Sequence, residues 1–156
     1  MITSDAELIR RFTKSVFSAQ SALLKHGDTA NARFGQSSAR WRVLLQVSIG
    51  NTTVTEIARI TGYSRQAVQR LTSLLVAEGN LASTPDSVDG RKLRLSLTPL
   101  GRRTLNSMEK YFNSWSARLV KDLSSDKLAA LASALDLITA AVLADLNEFG
   151  KEKQGV

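Results

Sequence analysis

A short stretch in the middle of the chain holds side chains with the types and spacing to read a patterned polar surface. On a helical projection of residues 65–78, Gln66, Gln69, Arg70 and Ser73 share one side and Arg65 flanks them. Val68, Leu71 and Leu75 cluster opposite, and Ser64 stands just ahead of the helix. Glutamine can pair with adenine, and arginine with guanine, through two hydrogen bonds each; serine can also reach phosphates. Taken alone, the same face suits any solvated helix, because short motifs match by accident often. What separates the two readings is the pair of elements on either side.

Upstream, Gly50 and Asn51 break the chain, and Thr53 can cap a short helix over residues 54–60 with Glu56 at its third position. Thr61-Gly62-Tyr63-Ser64 follows. Gly62 can take the left-handed conformation that reverses direction, and Ser64 can cap the next helix. Small Ala58 lets the two helices approach, and Ile57, Val68 and Leu71 can bury between them. This spacing predicts a helix-turn-helix, whose second helix enters the major groove of a duplex.

Downstream the period changes from helical to alternating, which predicts a hairpin wing over residues 81–97. Leu81 to Pro85 makes one strand. In the other, three leucines face one way, and Lys92, Arg94 and Ser96 the other. Between them, Asp86 to Arg91 has turn chemistry. Arg91 is the candidate for an adjacent minor groove, where negative potential favours arginine. Asp89 can hold its guanidinium in a bidentate pair; the plainer alternative is a surface ion pair of little worth.

Helix, turn, helix and wing, ending in D-G-R-K-L-R-L-S-L-T-P-L-G, resemble the MarR family of winged helix-turn-helix transcription regulators. Asp89, Arg91, Leu97, Thr98 and Gly101 match the family's wing signature in order, and the flanking helices fit its layout over nearly the whole chain. Asn80 departs from it, standing where the family usually has an apolar residue. The resemblance implies a homodimer on a pseudo-palindromic operator, with recognition helices in successive major grooves and wings in flanking minor grooves. Many members are repressors released by small, often anionic aromatic ligands, bound between the DNA-binding and dimerisation regions. Some sense oxidants through cysteine, which this chain lacks.

The remaining elements would position two copies of this device. Leu8, Ile9, Phe12, Val16, Ala19 and Leu23 recur in helical steps, so residues 1–27 hold an amphipathic helix with Ser4 as its cap and Gly27 as its stop. Residues 28–38 read as a loop. A helix from about Ala39 to Ser48 carries Trp41 between Arg40 and Arg42; Trp41 is either a core anchor or the wall of a ligand pocket. Thr98-Pro99 starts a helix reaching about Asp122, with Leu105, Met108, Phe112, Trp115 and Leu119 as its stripe. Ser124 or Ser125 caps the last helix, in which Leu128, Leu131, Leu135, Ile138 and Val142 recur, continued by Leu146 and Phe149. With Leu8, Phe12 and Val16, that seam suggests a dimer interface. An intramolecular bundle core is the alternative. The expected fold is mainly α with a small β-hairpin: a winged helix-turn-helix domain over residues 37–101, between dimerisation helices at 1–27 and 99–149.

Charge agrees with this division. Residues 1–53 and 54–103 each carry a net +4, and residues 104–156 carry −1, so a polyanion is expected against the first two thirds. The chain has no cysteine and one histidine, His26, read as a side chain near a helix end. That excludes disulfides, thiolate catalysis and Cys-type zinc sites. No acid–base pair or phosphate loop stands out, so no enzyme, cofactor or metal is expected. No run approaches the ~18–20 apolar residues of a membrane span, and MITSDAELIRR lacks a signal peptide's apolar core, so a cytoplasmic protein is expected. Double-stranded DNA, a second copy and a small-molecule effector are the expected partners. The competing reading is a winged-helix module that binds protein or RNA.

Overall fold

The computed structural model describes residues 4–50, 52–85 and 93–152. Its elements are helix α1 (Asp5–Asn31), a 3-10 turn (Ala32–Phe34), α2 (Ser38–Ser48), α3 (Val54–Thr61), α4 (Arg65–Ala77), strands β1 (Leu81–Pro85) and β2 (Leu93–Leu97), α5 (Pro99–Leu123) and α6 (Ser125–Glu152). They fall into two compact units, Met1–Tyr111 and Phe112–Val156. The mainly helical fold with one antiparallel hairpin is the one expected.

The core of the first unit is built from Val43, Leu44 and Val47 of α2, Ile57 and Ala58 of α3, Val68 and Leu75 of α4, Leu81 and Leu95 of the hairpin, and Leu105 and Met108 of α5. Trp41 is half-buried and packs against this cluster. The hairpin pairs Leu81 with Leu97 and Pro85 with Leu93. Beyond the sheet register, the Leu95 N–H donates to the Thr52 carbonyl at 2.8 Å, tying β2 to the chain entering α3.

Four expectations need correction. Gly27 does not stop α1, which continues to Asn31. Gly27 instead makes room for α2, because a Cβ there would overlap the Ser38 hydroxyl oxygen. The Asp28 carboxylate then accepts the Ser38 N–H at 2.7 Å, satisfying a donor at the start of α2. The supposed loop over 28–38 is thus mostly helix and 3-10 turn. His26 is no end residue either: its ring lies over that of Tyr111, centroids 6.3 Å apart, with the Arg33 guanidinium 5.0 Å from the same tyrosine ring. On α4 the polar Thr72 is buried, whereas Leu71 is only half-buried. Thr72 tolerates burial because its hydroxyl donates to the Gln69 carbonyl at 3.0 Å.

A tight corner joins the hairpin to α5. The Thr98 hydroxyl donates to the Gly79 carbonyl at 2.6 Å and accepts the Gly101 N–H at 3.0 Å, capping the helix that Pro99 opens. A Cβ on Gly101 would collide with the Asn80 carbonyl oxygen and stand 2.8 Å from its carbon. Asn80, which departs from the family pattern, is only 4% exposed here, and its side-chain oxygen is buried without a hydrogen-bond partner.

In the second unit, Ser124 joins α5 to α6 with φ 58, and its hydroxyl accepts the Lys127 N–H. Phe112 and Trp115 pack as a tilted pair 5.5 Å apart. The seam on α6 is uncovered: Leu131, Leu135, Ile138, Val142 and Leu146 are all exposed, and Leu128 is half-buried. The expectation that no run suits a membrane needs amending, since Ser125–Leu146 is long and apolar enough to cross one by length and composition. Interspersed alanines raise its hydropathy without forming a continuous run of large apolar residues.

Candidate nucleic-acid interface

The helix-turn-helix forms because each end of each helix is satisfied locally. Thr53 caps α3: its hydroxyl accepts the Glu56 N–H, while the Glu56 carboxylate accepts the Thr53 N–H at 3.0 Å. The same carboxylate also takes the Thr52 N–H at 3.1 Å and the Thr53 hydroxyl at 2.9 Å. Those bonds, the Thr53 hydroxyl first, hold the Glu56 carboxyl below its ordinary value of 4.5, and nearby Arg94 adds to the effect. Gly62 ends α3 with φ 74, its N–H on the Ala58 carbonyl. Ser64 restarts the chain as the cap of α4, accepting the Ala67 N–H at 3.1 Å.

Val68, Thr72 and Leu75 anchor α4 in the core. Arg65, Gln66, Gln69, Arg70 and Ser73 are all exposed, so the structure brings the predicted reading residues onto one solvent-facing ridge with Ser64 at its head. Gln69 Nε2 lies 3.4 Å from the Ser73 hydroxyl, a long contact that steadies both. On one flank of the ridge, Gln69 and Ser73 border a cleft of about 300 Å³ shared with Val54, Val76, Ser83 and Leu93. On the other, Arg70 borders a cleft of about 540 Å³ with Leu24, Asp28, Tyr63, Leu71 and Leu74. Arg70 therefore belongs both to the ridge and to a cavity behind it.

In the wing, Leu95 is buried and Leu97 half-buried, whereas Leu93, the third leucine of the alternation, is 54% exposed and faces the first cleft. Arg94 stands opposite Thr84, one pair short of the tip end of the ladder, its Nη1 donating to the Thr52 hydroxyl at 3.1 Å. Asp89, Arg91 and Lys92, the candidate tip residues, lie outside the described residues.

Sequence reasoning missed the residues that hold this device from behind. Arg42 donates to the Thr61 carbonyl at 2.9 Å and to the Tyr63 hydroxyl at 3.1 Å. Arg40 forms a bidentate pair with Glu78, at 2.8 and 3.0 Å. The only hint was that both arginines flank a large aromatic; their partners stand 21 and 38 positions away in sequence, beyond any local pattern. Among the described residues no group of three or more His, Cys, Asp or Glu could hold a metal ion.

This arrangement is similar to that of known regulators. A sequence profile described as MarR family matches residues 34–92. The uncharacterised protein Rv2011c of Mycobacterium tuberculosis is 39% identical over 101 residues, 64% of this chain and 70% of that protein. The transcriptional regulator BldR from Sulfolobus solfataricus superposes with a TM-score of 0.80 at 16% identity, over 88% of this chain and 99% of its own. The transcriptional repressor CouR, solved bound to a 23-mer DNA duplex, superposes with a TM-score of 0.77 at 26% identity, over 89% and 99%. With the wing signature and the capped helix-turn-helix in place, the chain belongs to the MarR family of winged helix-turn-helix, DNA-binding transcription regulators.

Proposed function

We propose that the chain is a dimeric repressor of a pseudo-palindromic operator. Gln66, Gln69 and Arg70 of α4 read base edges in the major groove, while Ser64, Arg65 and Ser73 contact the phosphates beside them. The wing residues Asp89, Arg91, Lys92 and Arg94 serve the flanking minor groove. The observation that carries this reading is the α4 ridge: five exposed polar side chains on a helix whose opposite face is locked in the core.

Dimerisation through the end helices is supported by apolar surface that a single chain leaves wet. On α6, Leu131, Leu137, Val142 and Leu146 are each at least 54% exposed. On α1, Leu8 and Ile9 are exposed, and Phe12 and Val16 are half-buried. A second copy is a better cover for α6 than lipid. Asp136 stands in the middle of Ser125–Leu146, and an aspartate at a bilayer centre costs about 2.5–3.5 kcal/mol on insertion scales. A cytoplasmic regulator is the reading that this cover for α6 supports. Release from DNA by a small aromatic or anionic ligand suits the cleft beside Arg70, where an anion would pair with a side chain the ridge also uses.

Selection of duplexes from a random library tests the function. A short palindrome should be enriched, and Gln69→Ala with Arg70→Ala should abolish that enrichment. If no duplex is enriched, the protein- or RNA-binding alternative gains. Light scattering tests the assembly: a monomer at micromolar concentration would overturn the dimer.

A further inference from the structure

We propose that Arg40 and Arg42, which bracket Trp41 on α2, are positioning residues that fix the recognition helix α4 at its two ends, and not phosphate contacts. This rests on the reading of α4 as the DNA-contacting helix.

Arg42 works at the N-terminal end. Its Nη2 donates to the carbonyl of Thr61, the last residue of α3, at 2.9 Å. Its Nη1 donates to the Tyr63 hydroxyl at 3.1 Å, with the guanidinium carbon 4.8 Å from the ring centroid. Thr61 and Tyr63 stand on either side of Gly62, so one side chain spans the whole turn. Tyr63 immediately precedes Ser64, the cap of α4. The pivot glycine is thus held from both sides by a planar, permanently charged donor.

Arg40 works at the other end. Glu78 is the C-terminal cap residue of α4, and both its carboxylate oxygens take a donor from Arg40. A further bond from Arg40 Nη1 to the Gly35 carbonyl, at 3.2 Å, fixes the arginine itself. Its side chain is only 18% exposed. Two residues apart on a helix point roughly 200° apart, so the two arms diverge from α2 toward opposite ends of α4. A 13-residue helix is about 20 Å long, and holding both ends fixes its tilt and rotation as one end alone cannot. Base reading needs that: bidentate pairing tolerates errors of only about 0.5 Å. Both cations are already engaged with protein acceptors, so the net +4 of residues 1–53 overstates what is offered to phosphates.

The test uses the full chain and a duplex selected by it, with Arg42→Gln, Arg40→Gln, Tyr63→Phe and Glu78→Gln. Each arginine change should weaken the selected duplex by about 10- to 100-fold, comparable to one or two mismatched base pairs. Affinity for an unrelated duplex, and the salt slope, should stay unchanged. Arg42→Lys should recover part of the loss, and Arg40→Glu with Glu78→Arg should bind the selected duplex better than either single change. A salt slope reduced by about one per arginine, with non-specific affinity falling in parallel, would overturn the proposal in favour of phosphate contacts. Unchanged specific affinity would overturn it as well. Tyr63→Phe removes one oxygen and guards against a misfolded arginine variant. Failure of the parent chain to select any duplex would count against the DNA-reading assignment itself. Amide exchange then decides the brace: Arg42→Gln should speed exchange at Tyr63–Val68, and Arg40→Gln in the last turn of α4. Unaltered protection in both would sink it.

Discussion

Replacing Thr98 by valine keeps the side chain's shape and deletes only its hydroxyl. That hydroxyl accepts one hydrogen bond and shares its own proton between the Gly79 and Asn80 carbonyls, at 2.6 and 3.2 Å, and the Asn80 carbonyl keeps the Thr98 N–H when the hydroxyl is gone. Gly101 is buried, and its N–H is one of the donors that the start of α5 cannot satisfy internally; Thr98 supplies the acceptor at 3.0 Å. Leaving a buried N–H without a partner costs about 1–3 kcal/mol. Gly79 is exposed, so water replaces the lost donor to its carbonyl, and about 0.5–1 kcal/mol is lost there. Thr98→Val should therefore destabilise the fold by about 1.5–4 kcal/mol. Thr98→Ser is the control: it keeps the hydroxyl and sheds one half-buried methyl, for less than about 0.8 kcal/mol. Urea unfolding at fixed protein concentration, so that any dimer contributes equally, measures both. For a chain of this length the valine variant should melt roughly 3–16 °C below the parent. A valine variant within about 0.5 kcal/mol of the parent would refute the capping role of the hydroxyl.

Gly101→Ala should be worse than either change, because its Cβ meets backbone at Asn80 and not a side chain that could swing away; loss of soluble expression or a melting drop beyond that of Thr98→Val is the readout. Glu56 makes stability depend on pH. Its folded value lies below 4.5, so the unfolded chain binds more protons through that window; the stabilisation is full above about pH 5 and is lost as pH falls through the folded value. Glu56→Gln should flatten the acid limb of the stability–pH curve, and an unchanged limb would exclude Glu56 as its source. Arg91→Ala should weaken binding to the selected duplex and lower the salt slope by about one; no change in either would remove Arg91 from the interface.

What the sequence disclosed was local chemistry. Thr53 with Glu56, Ser64 before α4, and Thr98-Pro99 each satisfy helix ends with neighbours three residues away or fewer, and all three form as expected. Periodicity also sorted the α4 ridge from its core face, save at Thr72, where a threonine closes its own hydrogen bond within one turn and can be buried like an apolar residue. What stayed hidden was the identity of whatever lies opposite. Gly27 has the composition of a helix stop, and only the presence of Ser38 against it shows a contact in its place. Arg94 belongs by alternation to an outward basic face, yet Thr52, 42 positions earlier, takes one of its donors. Arg40 and Arg42 count as free charge in a composition and as struts in the structure. Long flexible side chains choose partners by proximity in space, which no linear spacing encodes.

The Thr52 carbonyl that receives the Leu95 N–H gives the wing a property of modular machines. The hairpin is anchored at mid-strand by that bond, where Leu95 faces Ser83, and at its base by the Thr98 corner, both several residues from where Asp89 and Arg91 sit in sequence. Loops of different length or charge spliced between Pro85 and Leu93 should leave the register of Leu81 with Leu97 and the seat of α4 intact. Groove preference could then drift through the tip alone, with the mounting that aims it held constant.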